Sequence, residues 1–293
     1  PEVDLENARI LTKSFQMTAG QPLVIQKAKA FRAQCLEKTV RIYDDELIVG
    51  CAGSKLRGGI ICADTCWSIL DDELETISER KYDPFYLTPE DKQMFLDEIK
   101  PYWKGRSTFE AWLEQIPEET KDLRDTGVIY INRKAVRGFG EVTAGYQQVI
   151  NEGLEGIRKT ILERKSKLDL TIPGDYEKSV YLQSLLITME GIEILARRYA
   201  KEAAKMALAE KDPIRKHELE TIAETCERVP KYPARNFREA LQSLFLYQIA
   251  IFMEQNAASY NPGRIDQYLY PFYKKDIVQG EPVSYTHLRA HET

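Results

Sequence analysis

The chain has 293 residues, of which 43% are hydrophobic and 30% charged. This balance is typical of a globular protein rather than a disordered one. The formal net charge is −5, and acidic and basic side chains are interleaved, so the sequence offers no basic surface for a nucleic acid.

Hydrophobic periodicity predicts a mainly α-helical chain with a few short strands. Two amphipathic helices are predicted over 4–18 and 22–37, separated by Gly20 and Pro22. The stretch "DDELIVG" at 44–50 is the first predicted strand, ending on a glycine.

Capping residues predict where four later helices begin. The signals are Thr88 followed by Pro89, the capping boxes Ser107 with Glu110 and Asn236 with Glu239, and Asp212 followed by Pro213. Oxygen-bearing side chains at these positions can accept hydrogen bonds from the free N–H groups of a first helical turn.

The longest helix is predicted from about 176 to 210, where apolar side chains recur at three- and four-residue steps. The stripe consists of Tyr181, Leu185, Met189, Ile192, Leu195, Tyr199, Ala203 and Met206. A second buried helix is predicted over 236–255, because its apolar run at 240–253 falls short of the ~20 residues that span a bilayer. The sequence therefore predicts core helices and no membrane partner.

Cysteine and histidine usage argues against a metal site. The five cysteines (Cys35, Cys51, Cys62, Cys66 and Cys226) form no common zinc spacing, so buried free thiols in a reducing compartment are predicted. Only three histidines occur, two of them in the last residues.

The end of the chain has a different character from the rest. Residues 282–293, "PVSYTHLRAHET", show neither hydrophobic period nor turn pattern. We therefore expect one domain over 1–281, truncated near its end, followed by a non-native tail at 282–293.

The stretch "NPGRIDQYLYPFYKKDI" at 261–277 reads locally as a turn followed by an aromatic-rich helix, a packed corner. The same stretch resembles the glycyl radical enzymes of the pyruvate formate-lyase superfamily, and most closely the eliminase and dehydratase branch. That branch includes isethionate sulfite-lyase, choline trimethylamine-lyase and glycerol dehydratase. Six further segments resemble it in the same order: 44–50, 67–80, 98–107, 145–157, 226–243 and 253–264.

The resemblance implies the N-terminal, mostly helical part of an α/β barrel with strands inside and helices outside. It also implies a cysteine loop and a glycine loop that carry the radical, and neither resembles any segment here. We therefore expect no catalytic residue in this chain, and an inactive fragment without bound cofactor or metal. The full-length protein is expected to be a cytoplasmic homodimer of an anaerobic bacterium. A radical S-adenosylmethionine activase would install its glycyl radical.

The segment "AVRGFGEVTAGYQ" at 135–147 allows two interpretations. Arg137 and Glu141 form either a solvated ion pair or two polar groups on a turn, permitted by Gly138 and Gly140, that enters the substrate cavity. The resemblance supports the second, because Arg137 matches an arginine that contacts the sulfonate in isethionate lyases.

The second resembling loop is "EQNAAS" at 254–259. Dehydratases carry a histidine and a serine here that bond substrate hydroxyls; Ala258 replaces the histidine and Ser259 keeps the serine. Arg137, Glu141 and Ser259 are thus the expected substrate-binding residues of a radical C–X lyase. A small anionic hydroxy compound is expected first, choline second and glycerol third. A pyruvate formate-lyase-like acyltransferase and a non-catalytic helical module remain the alternatives.

Overall fold

The computed structural model describes residues 1–129, 143–255 and 259–279. The prediction of a mainly α-helical chain is confirmed, and the two strands, β1 (Glu2–Asp4) and β2 (Gly58–Ile60), pair in parallel. The helices are α1 (Glu6–Met17), α2 (Leu23–Glu37), α3 (Ala63–Cys66), α4 (Ser68–Asp71), α5 (Pro89–Met94), α6 (Lys100–Trp103), α7 (Thr108–Gln115), α8 (Glu118–Asp125), α9 (Tyr146–Lys165), α10 (Pro173–Ala209), α11 (Pro213–Arg228), α12 (Phe237–Gln255) and α13 (Ile265–Gln279). A π-helical turn, Phe95–Ile99, joins α5 to α6.

The helical core is organised around α10, which packs against α2 and α11. The predicted stripe is buried from Met189 to Ala203, where it meets side chains of α2, α11 and α12. Burying these apolar side chains contributes most of the stabilisation, about 1.5–3 kcal/mol for each large one. The N-terminal end of the stripe departs from the prediction, since Tyr181 is 55% exposed.

The predicted strand at 44–50 is wrong. Val49 is fully buried, but its N–H donates to Gln242 Oε1 at 2.9 Å, and its carbonyl accepts from Gln242 Nε2 at 2.8 Å. Two residues after Val49, the N–H of Cys51 donates to the hydroxyl of Tyr199 at 2.7 Å. The chain turns at 44–45 and bends at 47–48, and side chains of α12 and α10, in place of a neighbouring strand, form hydrogen bonds with the backbone that follows.

The predicted helix starts are largely confirmed. Thr88 accepts from the N–H of Asp91 at 3.0 Å, and the Ser107–Glu110 capping box is complete. Asp212 accepts from the N–H of Ile214 at 3.0 Å.

The Asn236–Glu239 capping box forms only in part. The N–H of Glu239 donates to Asn236 Oδ1 at 2.9 Å. The Glu239 carboxylate instead accepts from the N–H of Arg235 at 2.7 Å, one residue before the predicted donor, and it also holds the Arg235 guanidinium. The nearby cation draws the carboxylate away from the return bond.

Gly153 allows two parts of the chain to touch. Its φ of +66° interrupts α9, and a Cβ at this position would lie 2.6 Å from the carbonyl oxygen of Lys231. The freed N–H groups of Leu154 and Glu155 donate to the carbonyls of Pro230 and Lys231 at 2.9 and 3.0 Å. A glycine is therefore required for this close approach of two backbones.

By length and composition alone, α10 is the one helix among the described residues that could cross a membrane. Core helices of water-soluble proteins satisfy the same criteria, and α10 carries charged groups with specific partners. Glu193 pairs with Arg158, and Arg198 donates to the carbonyls of Cys35 and Lys38 near the end of α2. These contacts fit a core helix.

Candidate substrate-binding site

Of the three predicted substrate-binding residues, Ser259 is the one that the structure describes. Arg137 and Glu141, and also Ala258, lie outside the described residues. Ser259 is described: its side chain is exposed and its φ is +69°, in the left-handed region that residues with a side chain rarely adopt.

The described residues that flank the two predicted loops lie against each other. Residues 143–146 lead from the first loop into α9, and residues 259–264 lead from the second into α13. Gly263 has a φ of +73°, and a Cβ there would lie 2.9 Å from Thr143 Cγ2. We call the surface formed by residues 143–146 and 259–268 the loop-stem face.

Tyrosines hold the loop-stem face together. The hydroxyl of Tyr146 donates to Gln248 Oε1 on α12, and the hydroxyl of Tyr268 donates to the carbonyl of Pro262 at 2.7 Å. The rings of Tyr146 and Tyr247 meet edge to face with centroids 5.4 Å apart. Burial and the neighbouring Tyr146 raise the pKa of Tyr268 to about 12, so its hydroxyl stays protonated at neutral pH.

A cleft with a volume of about 670 Å³ opens at the loop-stem face. Its polar lining includes the hydroxyl and amide groups of Thr143, Gln148, Asn151 and Tyr268, and the carboxylate of Glu152. Arg264 also lines it, but its guanidinium is paired with the Asp266 carboxylate at 2.9 Å. The described lining can therefore hydrogen-bond a small polar molecule, and Arg264 is the one cation among the described lining residues.

Sequence reasoning missed a second opening, an apolar cleft of about 1,170 Å³ between α2, α7, α10 and α12. Its walls include Trp112, Tyr181, Leu185, Tyr247 and Ile251. The signal was present in the sequence, since Tyr181 and Leu185 belong to the stripe that continues into the helical core.

The aromatic-rich segment, predicted as a packed corner, is packed only in part. Tyr268 and Leu269 are buried, whereas Tyr270 is 56% exposed.

Three charged residues lie at one end of the apolar cleft. Lys27 of α2 forms an ion pair with Asp64 of α3, and Glu254 of the last turn of α12 lines the same space. Burial lowers the pKa of Lys27, but the two carboxylates outweigh it and the pKa is raised. Burial raises the pKa of Glu254 against the opposing effect of Lys27.

Among the residues that the structure describes, no three His, Cys, Asp or Glu side chains cluster as metal ligands. All five cysteines are free thiols, and burial raises the pKa of Cys35, Cys62, Cys66 and Cys226. Such thiols stay protonated at neutral pH and are poor nucleophiles.

Comparison with known proteins gives consistent matches along the chain. The chain is 36% identical over 289 residues to isethionate sulfite-lyase of Oleidesulfovibrio alaskensis, covering 96% of this chain and 35% of that protein. It is 26% identical over 280 residues to (2S)-3-sulfopropanediol dehydratase of Klebsiella oxytoca, covering 94% and 34%. The chain thus spans about a third of the length of these relatives, and the matched part is N-terminal.

Solved structures agree with the sequence matches. A structure from Roseburia inulinivorans, described for 1,2-propanediol dehydration, superposes with a TM-score of 0.91 at 35% identity, over 96% of this chain and 33% of that one. The predicted fold, the mainly α N-terminal part of a glycyl radical enzyme barrel, is confirmed. The family model described as "Pyruvate formate lyase-like" matches residues 1–292, and the chain therefore belongs to the pyruvate formate lyase-like family.

Proposed function

We propose that this chain is the N-terminal part of a glycyl radical enzyme that breaks a carbon–heteroatom bond in a small hydroxylated anion, such as a hydroxyalkyl sulfonate. Membership of the family and a span of about a third of its relatives support the first half of this proposal. The names of two relatives, isethionate sulfite-lyase and sulfopropanediol dehydratase, support the second half.

The observation that carries the proposal is the contact between the stems of the two loops. Thr143 closely follows Glu141 in the chain, and Gly263 follows Ser259 by four residues; these stems touch. Loops that leave a rigid scaffold side by side can place their side chains around one ligand. The left-handed conformation of Ser259 adds support, since such conformations cluster at ligand sites.

Charge decides which substrate fits best. Arg137 would offer a planar guanidinium suited to the two oxygens of a sulfonate or carboxylate, and Glu141 and Ser259 would bond a hydroxyl. Choline would place a second cation beside Arg137 in a desolvated site, at a cost of several kcal/mol. Choline therefore ranks second, and a glycerol-like diol, which leaves the arginine unpaired, ranks third.

The reacting groups would come from the rest of the enzyme. A cysteine and a glycine of that part would supply the radical chemistry, after activation by a radical S-adenosylmethionine enzyme. The contribution of this chain would be to bind and orient the substrate and to exclude water. We therefore propose that the 293-residue chain is inactive alone, and that the full-length enzyme is a cytoplasmic homodimer.

The test is an anaerobic assay of the activated full-length protein with 2-hydroxyethanesulfonate, choline and 1,2-propanediol as separate substrates. The expected result is sulfite release from the sulfonate, with a kcat/KM higher than the kcat/KM for choline or for 1,2-propanediol. Preferred turnover of choline or the diol would overturn the substrate assignment. Formate C-acetyltransfer, or a full-length sequence without the cysteine and glycine loops, would overturn the lyase itself.

A further inference from the structure

A small cavity of about 10 Å³ lies beneath the charged end of the apolar cleft, where α1, α2, α12 and the α3 region meet. Its polar lining comes from Asn7, Lys27, Asp64 and Glu254, together with Gln34, Cys62 and Thr65. One water molecule needs about 10–15 Å³ of such space and two to four polar partners. The cavity meets the size requirement for a single water.

One lining group lacks a hydrogen-bond partner. Asn7 is 3% exposed, and its Nδ2 donates to the carbonyl of Ala52 at 2.9 Å. This bond fixes which end of the amide carries oxygen. Within the part of the chain that the structure describes, the buried Oδ1 accepts no hydrogen bond. A buried acceptor left without a donor costs about 1–3 kcal/mol.

The other polar groups around the cavity can complete the coordination of a water. The Lys27 ammonium has three N–H groups and forms an ion pair with Asp64, so donors remain. The carboxylate of Glu254 is an acceptor at the same cavity. A water there would accept from Lys27 and donate to Asn7 Oδ1 and Glu254, using both of its protons.

We infer that this cavity is a binding site for one ordered water molecule, which connects Asn7 of α1 and Lys27 of α2 to Glu254 of α12. The site does not depend on the proposed function. Glu254 lies in the last turn of α12, directly before residues 256–259 in the chain. The water would join that turn to the two N-terminal helices.

The first experiment is a crystal structure of the 293-residue chain at a resolution that shows ordered water. The expected result is one density peak within hydrogen-bond distance of Asn7 Oδ1. An empty cavity, or a peak with the scattering and coordination of a larger ion, would overturn the inference. This measurement needs no variant.

The second experiment counts long-lived internal waters in solution by magnetic relaxation dispersion. Cys62→Val adds roughly the volume of one water, ~30 Å³, to the cavity wall and should remove one long-lived water. Cys66→Val makes the same change at a buried cysteine that does not line the cavity, and should leave the number unchanged. Equal counts in the wild type and Cys62→Val would contradict the site.

Discussion

The helical core and the loop-stem face of this protein use the same kinds of residue under different constraints. In the core, Gln242 and Tyr199 form hydrogen bonds with backbone groups of the buried segment around Val49, and a Cβ added at Gly153 would lie 2.6 Å from a neighbouring carbonyl oxygen. At the loop-stem face, Gly263 also has a positive φ, but its near neighbour is the methyl group of a side chain. The core is thus a rigid support, and the face above it can vary without unfolding the protein.

The largest expected effect is that of Gly153→Ala. The substitution puts a Cβ into a left-handed backbone position and 2.6 Å from fixed backbone atoms of residues 231 and 232. We expect a loss of at least ~3 kcal/mol in the free energy of unfolding, measured by chemical denaturation. Gly174→Ala is the control, since no atom lies within 4 Å of its added Cβ. A loss under ~1 kcal/mol for Gly153→Ala would show that the core is not rigid here.

Gln242→Leu tests whether a side chain replaces a strand. The substitution replaces the amide with an apolar side chain of similar size and leaves the N–H and C=O of Val49 buried without partners. We expect a loss of about 3 kcal/mol. The exposed Gln148→Leu on α9 is the matched control and should change stability by less than ~0.5 kcal/mol. Similar small effects for both variants would contradict this role of Gln242.

The buried thiols of the core predict a loss of stability at alkaline pH. Burial raises the pKa of Cys226 above its ordinary value of 9.0, so the folded state holds its proton where the unfolded state releases it. The stabilisation is complete below about pH 9 and is lost as pH rises, by up to about 1.4 kcal/mol per pH unit for each such thiol. Lys38, whose pKa burial lowers, opposes this trend.

In Cys226→Ala, the free energy of unfolding should fall less steeply with pH, because one of the buried thiols that contribute to the slope is gone. The variant also loses some packing, but that loss does not depend on pH. The measurement is the free energy of unfolding at several pH values from about 8 to 10. An unchanged slope would mean that this thiol is not buried as described.

The smallest expected effect is that of Gly263→Ala on the loop-stem face. The left-handed conformation costs about 1–2 kcal/mol for a residue with a Cβ. The contact with Thr143 Cγ2 adds little, because a side-chain methyl can move. Adding Thr143→Ser, which removes that methyl, should recover part of the loss. If Gly263→Ala destabilised as strongly as Gly153→Ala, the two regions would not differ as described.

Much of the fold follows from local sequence patterns, and the exceptions have specific causes. Helix caps at Thr88, Ser107 and Asp212 were predictable because each bond joins residues two or three apart. The strand predicted at 44–50 was wrong because the chain turns at 44–45 and bends at 47–48, and the backbone around Val49 bonds distant side chains, Gln242 and Tyr199. Periodicity identifies an apolar segment but not what pairs with it.

The candidate site likewise combines features that the sequence predicts with features that arise only from the tertiary structure. Sequence resemblance suggested Arg137, Glu141 and Ser259 one by one, from two separate segments. The contact between the loop stems is a tertiary feature that no local pattern contains. The cavity at Asn7 was likewise hidden, since α12 closes it from a part of the chain far from α1, α2 and the α3 region.

The most direct test of the central claim, that two loops form one substrate site, is kinetic. In the activated full-length enzyme, kcat/KM for the sulfonate would be measured for Arg137→Ala, Ser259→Ala and the control Arg9→Ala, which removes an exposed ion pair with Glu98. We expect a fall of at least about 30-fold for Arg137→Ala, equivalent to ~2 kcal/mol, and about tenfold for Ser259→Ala. Arg9→Ala should be unchanged. Unchanged turnover in Arg137→Ala or Ser259→Ala would contradict a shared site.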